Sequence, residues 1–251
     1  MTKSNFNKDI IAIIPARSGS KAIKDKNLSL LGGYPLIAFS IVLAKMIPEI
    51  KQVIVSTDSK PYAELAEKYG ADVPFIRPSS LAKDFSSDYD FMSHAIRWYE
   101  KNDHLPDYWV HLRPTTPLRD YKIVKKAIKL ISSNNNATSL RSCHLSPESP
   151  FKWLRKNSRG FFTNLLGDDT DLDKYNGPRQ KYPEVFIPNG YVDIVKTSFI
   201  KKNELLHGNK VLAFETPYSI EVDSREELEM LNLYLKKNGS PLLKKLKNKN
   251  R

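Results

Sequence analysis

Apolar runs and helix-patterned segments alternate along the first 142 residues of this chain. That alternation restricts the possible folds more than any other feature. "IIAII" (Ile10–Ile14) reads as a buried strand and "PLIAFSIVLAKMI" (Pro35–Ile47) as a helix. "QVIVSTD" (Gln52–Asp58) is a strand ending in small polar residues, followed by a helix from Pro61 to Tyr69 and a short strand from Val73 to Ile76. A helix over Ser87–Glu100, a strand over Tyr108–Leu112, a helix over Asp120–Ile131 and a strand over Ala137–Ser142 complete the series. Strand and helix in this order predict an α/β fold with a mostly parallel sheet and helices on both faces. Ligands of such sheets bind beyond the carboxyl ends of the strands. The polar clusters after Ile14, Val55 and Leu112 would open onto that one edge.

The pattern changes between His144 and Pro183, where prolines, aromatics and the acidic run "GDDTDLD" (Gly167–Asp173) replace regular alternation. One domain over residues 1–251 with an inserted arm at about 144–183 is expected. Beyond it, Glu184–Val195, Lys210–Thr216 and "SIEVD" (Ser219–Asp223) read as strands. A last helix from Ser224 to Lys236 starts with a capping box, Ser224 and Glu227. The basic tail "LLKKLKNKNR" (Leu242–Arg251) reads as a frayed, solvated end.

Composition limits the function classes. The net charge of +12 admits nucleic acid, an acidic membrane surface or a small polyanion as partner. The cations outside the tail are dispersed, with no basic helix and no aromatic platform, which ranks nucleic acid low. The single cysteine, Cys143, excludes an intrachain disulfide framework and fits a reducing compartment. It reads as a core thiol, and His94 as a packed helix residue. "MTKSNFNKDI" has no apolar run of signal-peptide type, and no stretch approaches membrane-span length. A soluble, cytoplasmic protein without a membrane partner is expected.

The loop behind the first strand, "PARSGSKAIKDKN", crowds Arg17, Lys21, Lys24 and Lys26 around Gly19 and Ser20. Small residues let the backbone approach an anion, and lysines add charge. The spacing is neither Walker A nor G-x-G-x-x-G. The whole stretch, "IPARSGSKAIKDKN", resembles the signature of the acylneuraminate cytidylyltransferases. Further similar segments follow in order: "VIVSTDS", "IRPSSLAKD", "LRPTTPLR", "GPRQKYPEVFIPNG" and "SIEVDSREEL". The resemblance spans roughly residues 10 to 230.

The resemblance implies a Rossmann-like nucleotide-diphospho-sugar transferase fold with a dimerisation arm, and transfer of CMP from CTP to the anomeric hydroxyl of an acidic sugar. It implies nucleotide contacts from Arg17, Ser20, Lys21, Lys26, Asn27, Arg77 and Asp84, with Arg77 at the base. It places Arg113, Thr115, Thr116, Arg119, Lys152, Arg179, Gln180 and Asn189 around the sugar. Arg17, Lys26 and Asp223 would be catalytic, and Asp223 with Glu221 would hold Mg²⁺. The partners implied are CTP, an acidic sugar and a second copy of the chain. Three positions depart from the family pattern: Arg113 stands for glutamine, Ile187 for a frequent arginine and Ala22 for glycine. Two of them border the sugar pocket in the family. This leaves N-acetylneuraminate, legionaminic- or pseudaminic-type acids and a 3-deoxy-octulosonate open as acceptors. A basic polyanion-binding module is the non-enzyme alternative.

Overall fold

The computed structural model describes residues 8–167 and 169–249. In chain order the elements are β1 (Ile10–Pro15), β2 (Leu30–Leu31), β3 (Tyr34–Pro35), α1 (Leu36–Lys45), β4 (Gln52–Ser56), α2 (Lys60–Lys68), α3 (Asp88–Lys101), β5 (Tyr108–His111) and α4 (Tyr121–Ser133). They continue as β6 (Ser139–Leu145), β7 (Leu154–Lys156), β8 (Phe162–Asn164), β9 (Phe186–Lys196), α5 (Thr197–Asn203), β10 (Val211–Glu215), α6 (Arg225–Asn238) and α7 (Pro241–Lys249).

The main sheet has the strand order β10-β6-β9-β5-β1-β4. β4, β1 and β5 run parallel, as do β6 and β10, while β9 is antiparallel to both of its neighbours. The sheet is therefore mixed at its centre. Strand β1 is buried on both faces: Ile10, Ala12 and Ile14 pack with α1 and α4, and Ile11 and Ile13 pack with Phe91, Ile96 and Ile200 from α3 and α5. A continuous apolar run suits a strand covered on both sides. The helices start where their cap chemistry dictates. Ser87 and Asp90 form a reciprocal capping box at α3, and Ser224 and Glu227 form one at α6.

Three sequence expectations fail for physical reasons. Val73–Ile76 is no strand. Only isolated bridges form there, Asp72 with Ile54 of β4 and Ile76 with Thr57 just past it, because Pro74 brings no N–H to a ladder. Ser219–Asp223 is no strand either. Its neighbour is the turn through Pro114 and Pro117, and the link between them is Val222 N–H donating to the Thr115 carbonyl at 2.7 Å. The basic tail is not frayed over the described residues. It forms α7, and Leu242, Leu243 and Leu246 bury one face against the core beside α1. Helix α1 is apolar nearly all round and buried from Leu36 to Ala44, since it lies between sheet and α7. Residues 250 and 251 of the tail lie outside the described residues.

The arm leaves the sheet after β6 and returns at β9. It carries the β7–β8 hairpin and short helical turns at Pro150–Lys152, Leu172–Tyr175 and Arg179–Lys181. Among the described residues no helix is long and apolar enough to cross a membrane.

Candidate active site

The loop after β1 is tied down at both ends. Ser18 donates to Asp58, just past β4, through its backbone N–H (2.8 Å) and its hydroxyl (2.7 Å). The buried Asn27 amide donates to the Arg17 carbonyl at 3.1 Å. Gly19 makes the bend between these anchors with φ +72°, a conformation that costs side-chain-bearing residues strain. The outcome is a fixed rim facing the carboxyl ends of β1, β4 and β5.

Behind that rim lies a cleft of about 220 Å³, lined by Arg17, Ser20, Lys26, Asn27, Arg77, Asp88, Phe91, Arg113 and Thr115 among others. Among the described residues, four cations and a single carboxylate face it. A recess of about 630 Å³ beside Gly32, α6 and α7 is larger but is lined by leucines and solvated charges, with no converging donors. The smaller cleft therefore has the chemistry.

Arg77 is the most informative side chain in it. The residue is 4 % exposed, yet Nε and Nη2 have no partner. Burial lowers its pKa from the ordinary arginine value. Its guanidinium stands 5.8 Å over the Phe91 ring. Buried donors without acceptors are costly, so the arrangement is poised for a ligand rich in acceptors.

Lys26 donates to Asp223 Oδ1 at 2.8 Å. Glu221 accepts from the Thr115 hydroxyl at 2.7 Å, and Val222 between the two acids is buried. Glu221 and Asp223 thus turn away from the core toward the cleft margin. Asp84 pairs with Arg17 at 3.0 Å and with Lys21 at 2.5 Å. Lys21, largely exposed, does not line the cleft. The hydrogen bonds from Lys21 and Arg17 hold the Asp84 carboxyl below the usual range.

Arg113 is clamped by Asp88 (2.6 Å) and Asp193 (2.9 Å). Burial disfavours its charge, but the two carboxylates outweigh that and raise its pKa. His111 lies 4.0 Å from Asp88 with neither ring nitrogen bonded, and burial pushes its pKa to about 3. Gly190 approaches this turn so closely that a Cβ would meet Thr116 Oγ1 at 3.3 Å, and its φ is +60°.

Several residues expected at the sugar are engaged elsewhere in the chain. Arg119 is buried and donates to the carbonyls of Tyr191, Arg113 and Gly190 and to Ser40 Oγ. It locks the 113–119 turn onto β9, and burial pulls its pKa down to about 9. The Asn189 amide donates to Thr216 Oγ1, and its oxygen accepts from Tyr191 N–H. Thr116 is buried with an unpartnered hydroxyl. Lys152, Arg179 and Gln180 sit on the arm and do not line this cleft, and Arg179 donates to the carbonyls of Ser146 and Pro147. Sequence reasoning overlooked Asp88, Asp193, His111, Ser86, Ser87 and Phe91. Two of them left a signal: Asp193 and His111 are polar residues inside the apolar strands "YVDIV" and "WVHL".

A mostly parallel sheet with a cation-lined cleft at its strand ends is the arrangement in which α/β proteins of this class hold their ligands. The chain belongs to the cytidylyltransferase family, whose profile it matches over residues 11–197. It is 34 % identical over 232 residues to an N-acylneuraminate cytidylyltransferase of Escherichia coli O18:K1:H7, covering 91 % of this chain and 53 % of that protein. It is 39 % identical over 170 residues to a CMP-N,N'-diacetyllegionaminic acid synthase of Legionella pneumophila, covering 66 % of this chain and 70 % of that one. The chain thus spans about half the length of the Escherichia coli relative. In fold it matches a CMP:2-keto-3-deoxy-manno-octonic acid synthetase solved with CTP, with a TM-score of 0.66, 16 % identity and coverage of 91 % and 98 %.

Proposed function

We propose that this chain is a nucleotidyltransferase that transfers CMP from CTP to the anomeric hydroxyl of an acidic nonulosonic sugar. The observation that carries the reading is Arg77, whose buried, unpartnered donors share one cleft with Arg17 and Lys26. Acceptors at N3 and O2 of cytosine suit those donors, and a triphosphate suits the cations. The sugar hydroxyl attacks the α-phosphorus, the bond to the β-phosphate oxygen breaks, pyrophosphate leaves and the hydroxyl proton passes to solvent. Arg17 and Lys26 would stabilise the charge that develops on the phosphoryl oxygens.

The donor set fits Mg²⁺. Asp223 and Glu221 offer hard oxygen ligands beside the phosphate-binding lysine, and magnesium is commonly held by one or two carboxylates together with substrate phosphates. When bound, the ion would neutralise phosphate charge. Among the described residues no cluster of three or more His, Cys, Asp or Glu forms a cage, so phosphate oxygens and water would complete the coordination.

The turn from Arg113 to Thr115 would form the wall between nucleotide and sugar. The arm would complete the sugar pocket of a second copy, with Lys152 and Arg179 toward the sugar carboxylate. Exposed Trp153, Phe161, Phe162 and Leu166 support this reading of a homodimer. Names of relatives, N-acylneuraminate and N,N'-diacetyllegionaminic acid among them, indicate the acceptor class. The test is pyrophosphate release from each nucleoside triphosphate with N-acetylneuraminate, N,N'-diacetyllegionaminate, pseudaminate or 3-deoxy-octulosonate. Release is expected with CTP and one of the nonulosonic acids. Equal turnover with GTP, or salt-sensitive heparin retention without turnover, would sink the reading.

A further inference from the structure

We infer that Asp88 selects cytosine against uracil by accepting a hydrogen bond from the exocyclic amino group of the base. The inference rests on the CTP reading above and deepens it. Cytosine presents a donor at N4 and acceptors at N3 and O2, while uracil presents an acceptor at O4 and a donor at N3. Arg77 supplies donors for O2 and N3, but a site with donors alone leaves the amino group unread. Discrimination at position 4 needs a group that accepts and cannot donate. An ionised carboxylate is such a group.

Among the described residues, Asp88 is the one acidic residue lining the cleft. Its Oδ2 is taken by Arg113, whereas Oδ1 accepts no hydrogen bond among the described residues. It stands three residues before Phe91 on α3, so the two side chains share one helix face, and Phe91 is the ring beneath the Arg77 guanidinium. Donor and acceptor thus flank the same aromatic ring.

The carboxylate is also held in place. The Ser87–Asp90 capping box fixes the first turn of α3. Arg113 holds Oδ2 at 2.6 Å and is itself held by Asp193, whose side chain is 2 % exposed. Burial opposes ionisation of Asp88, but the charge and hydrogen bond of Arg113 outweigh it and keep the carboxyl below the usual range. A carboxylate facing the triphosphate would oppose binding. Its useful targets on CTP are the donors, namely the 4-amino group and the ribose hydroxyls, and only the first distinguishes the two pyrimidines.

The experiment is calorimetric binding of CTP, UTP, N4,N4-dimethyl-CTP and inorganic pyrophosphate, without acceptor, to the wild-type chain and to Asp88→Asn and Asp88→Ala. Both variants leave Arg113 paired with Asp193, and thermal melting checks their folding. The CTP-to-UTP affinity ratio should fall about tenfold or more in both variants, the loss expected for one missing base-edge contact. Dimethylation should weaken wild-type binding and leave Asp88→Ala unaffected, with pyrophosphate binding retained throughout. An unchanged CTP-to-UTP ratio, or equal weakening of both nucleotides as a ribose contact would give, overturns the inference. If dimethylation costs the wild-type chain nothing, the amino group is unread and the inference fails without any variant. Failure of the wild-type chain to prefer CTP would instead refute the CTP reading, so the two failures are distinguishable.

Discussion

Lys26 and Asp223 are 197 residues apart in sequence and 2.8 Å apart in space, joining the loop after the first strand to the cap of the penultimate helix. Asp223 N–H and Ser224 N–H both donate to Glu227, so the carboxylate is carried on a fixed helix start. Asp223→Asn is expected to lower CTP-dependent pyrophosphate release on the order of 10²-fold or more. Its stability should change by no more than about 0.5 kcal/mol, because the side chain is mostly exposed. Full activity in excess EDTA would remove the magnesium assignment.

Arg113 balances two carboxylates. Arg113→Gln removes the hydrogen-bonded cation between Asp88 and the buried Asp193, leaving only the half-exposed Arg141 at 3.9 Å from Asp193, and should cost about 3 kcal/mol in urea unfolding. Adding Asp193→Asn should restore part of that loss. Strict additivity of the two substitutions would show that the pair is not coupled.

His111 makes stability acid-sensitive. Its folded pKa of about 3 lies below the ordinary histidine value of about 6.5, so the unfolded chain binds more protons between those limits. Stability should therefore fall as pH drops from 7 to 5, by roughly 2 kcal/mol from this group. His111→Leu should flatten that part of the urea-denaturation profile. A wild-type profile that is flat from pH 7 to 5 would contradict the assignment.

Helix α7 is part of the core. Leu246 is fully buried, and Leu246→Ala should cost about 2–5 kcal/mol. A melting temperature within a degree of wild type would mean that the tail is dispensable after all.

The arm should mediate self-association. Sedimentation at micromolar concentration is expected to give a dimer, and serine at both Phe161 and Phe162 should shift it toward monomer. A fully active monomeric wild-type chain would dismiss the proposed role of Lys152 and Arg179.

The regular elements were legible because their period and caps are local properties. The strand at Ile10 and the Ser224–Glu227 cap needed nothing beyond neighbouring residues. The antiparallel placement of β9 was not legible, because strand order depends on contacts across the sheet. The tail misled for a related reason: three leucines among four lysines and an arginine read as solvated until α1 supplies a surface to cover. At the site, Lys26 stood out in the basic loop behind the first strand, and Arg77 only through the resemblance of "IRPSSLAKD". Arg119 came from a third segment, "LRPTTPLR", yet its donors are consumed by backbone carbonyls and the Ser40 hydroxyl, which only the fold reveals. Asp88 carries no sequence signal of its own, and only Arg113 and the cleft give it neighbours.

The antiparallel strand at the sheet centre has a consequence for how the molecule assembles. Among the described residues, β9 alone connects the β4-β1-β5 half to the β6-β10 half. During synthesis the first three strands can pair early, but β6 has no partner until the chain has been extended through the arm to residue 196. β9 is the keystone of the sheet. Its arrival closes the longest-waiting edge, and in the same step Gly190 and Tyr191 receive Arg119 and set the turn that forms the cleft wall. Joining the two halves of the sheet and setting the cleft wall thus depend on the same strand.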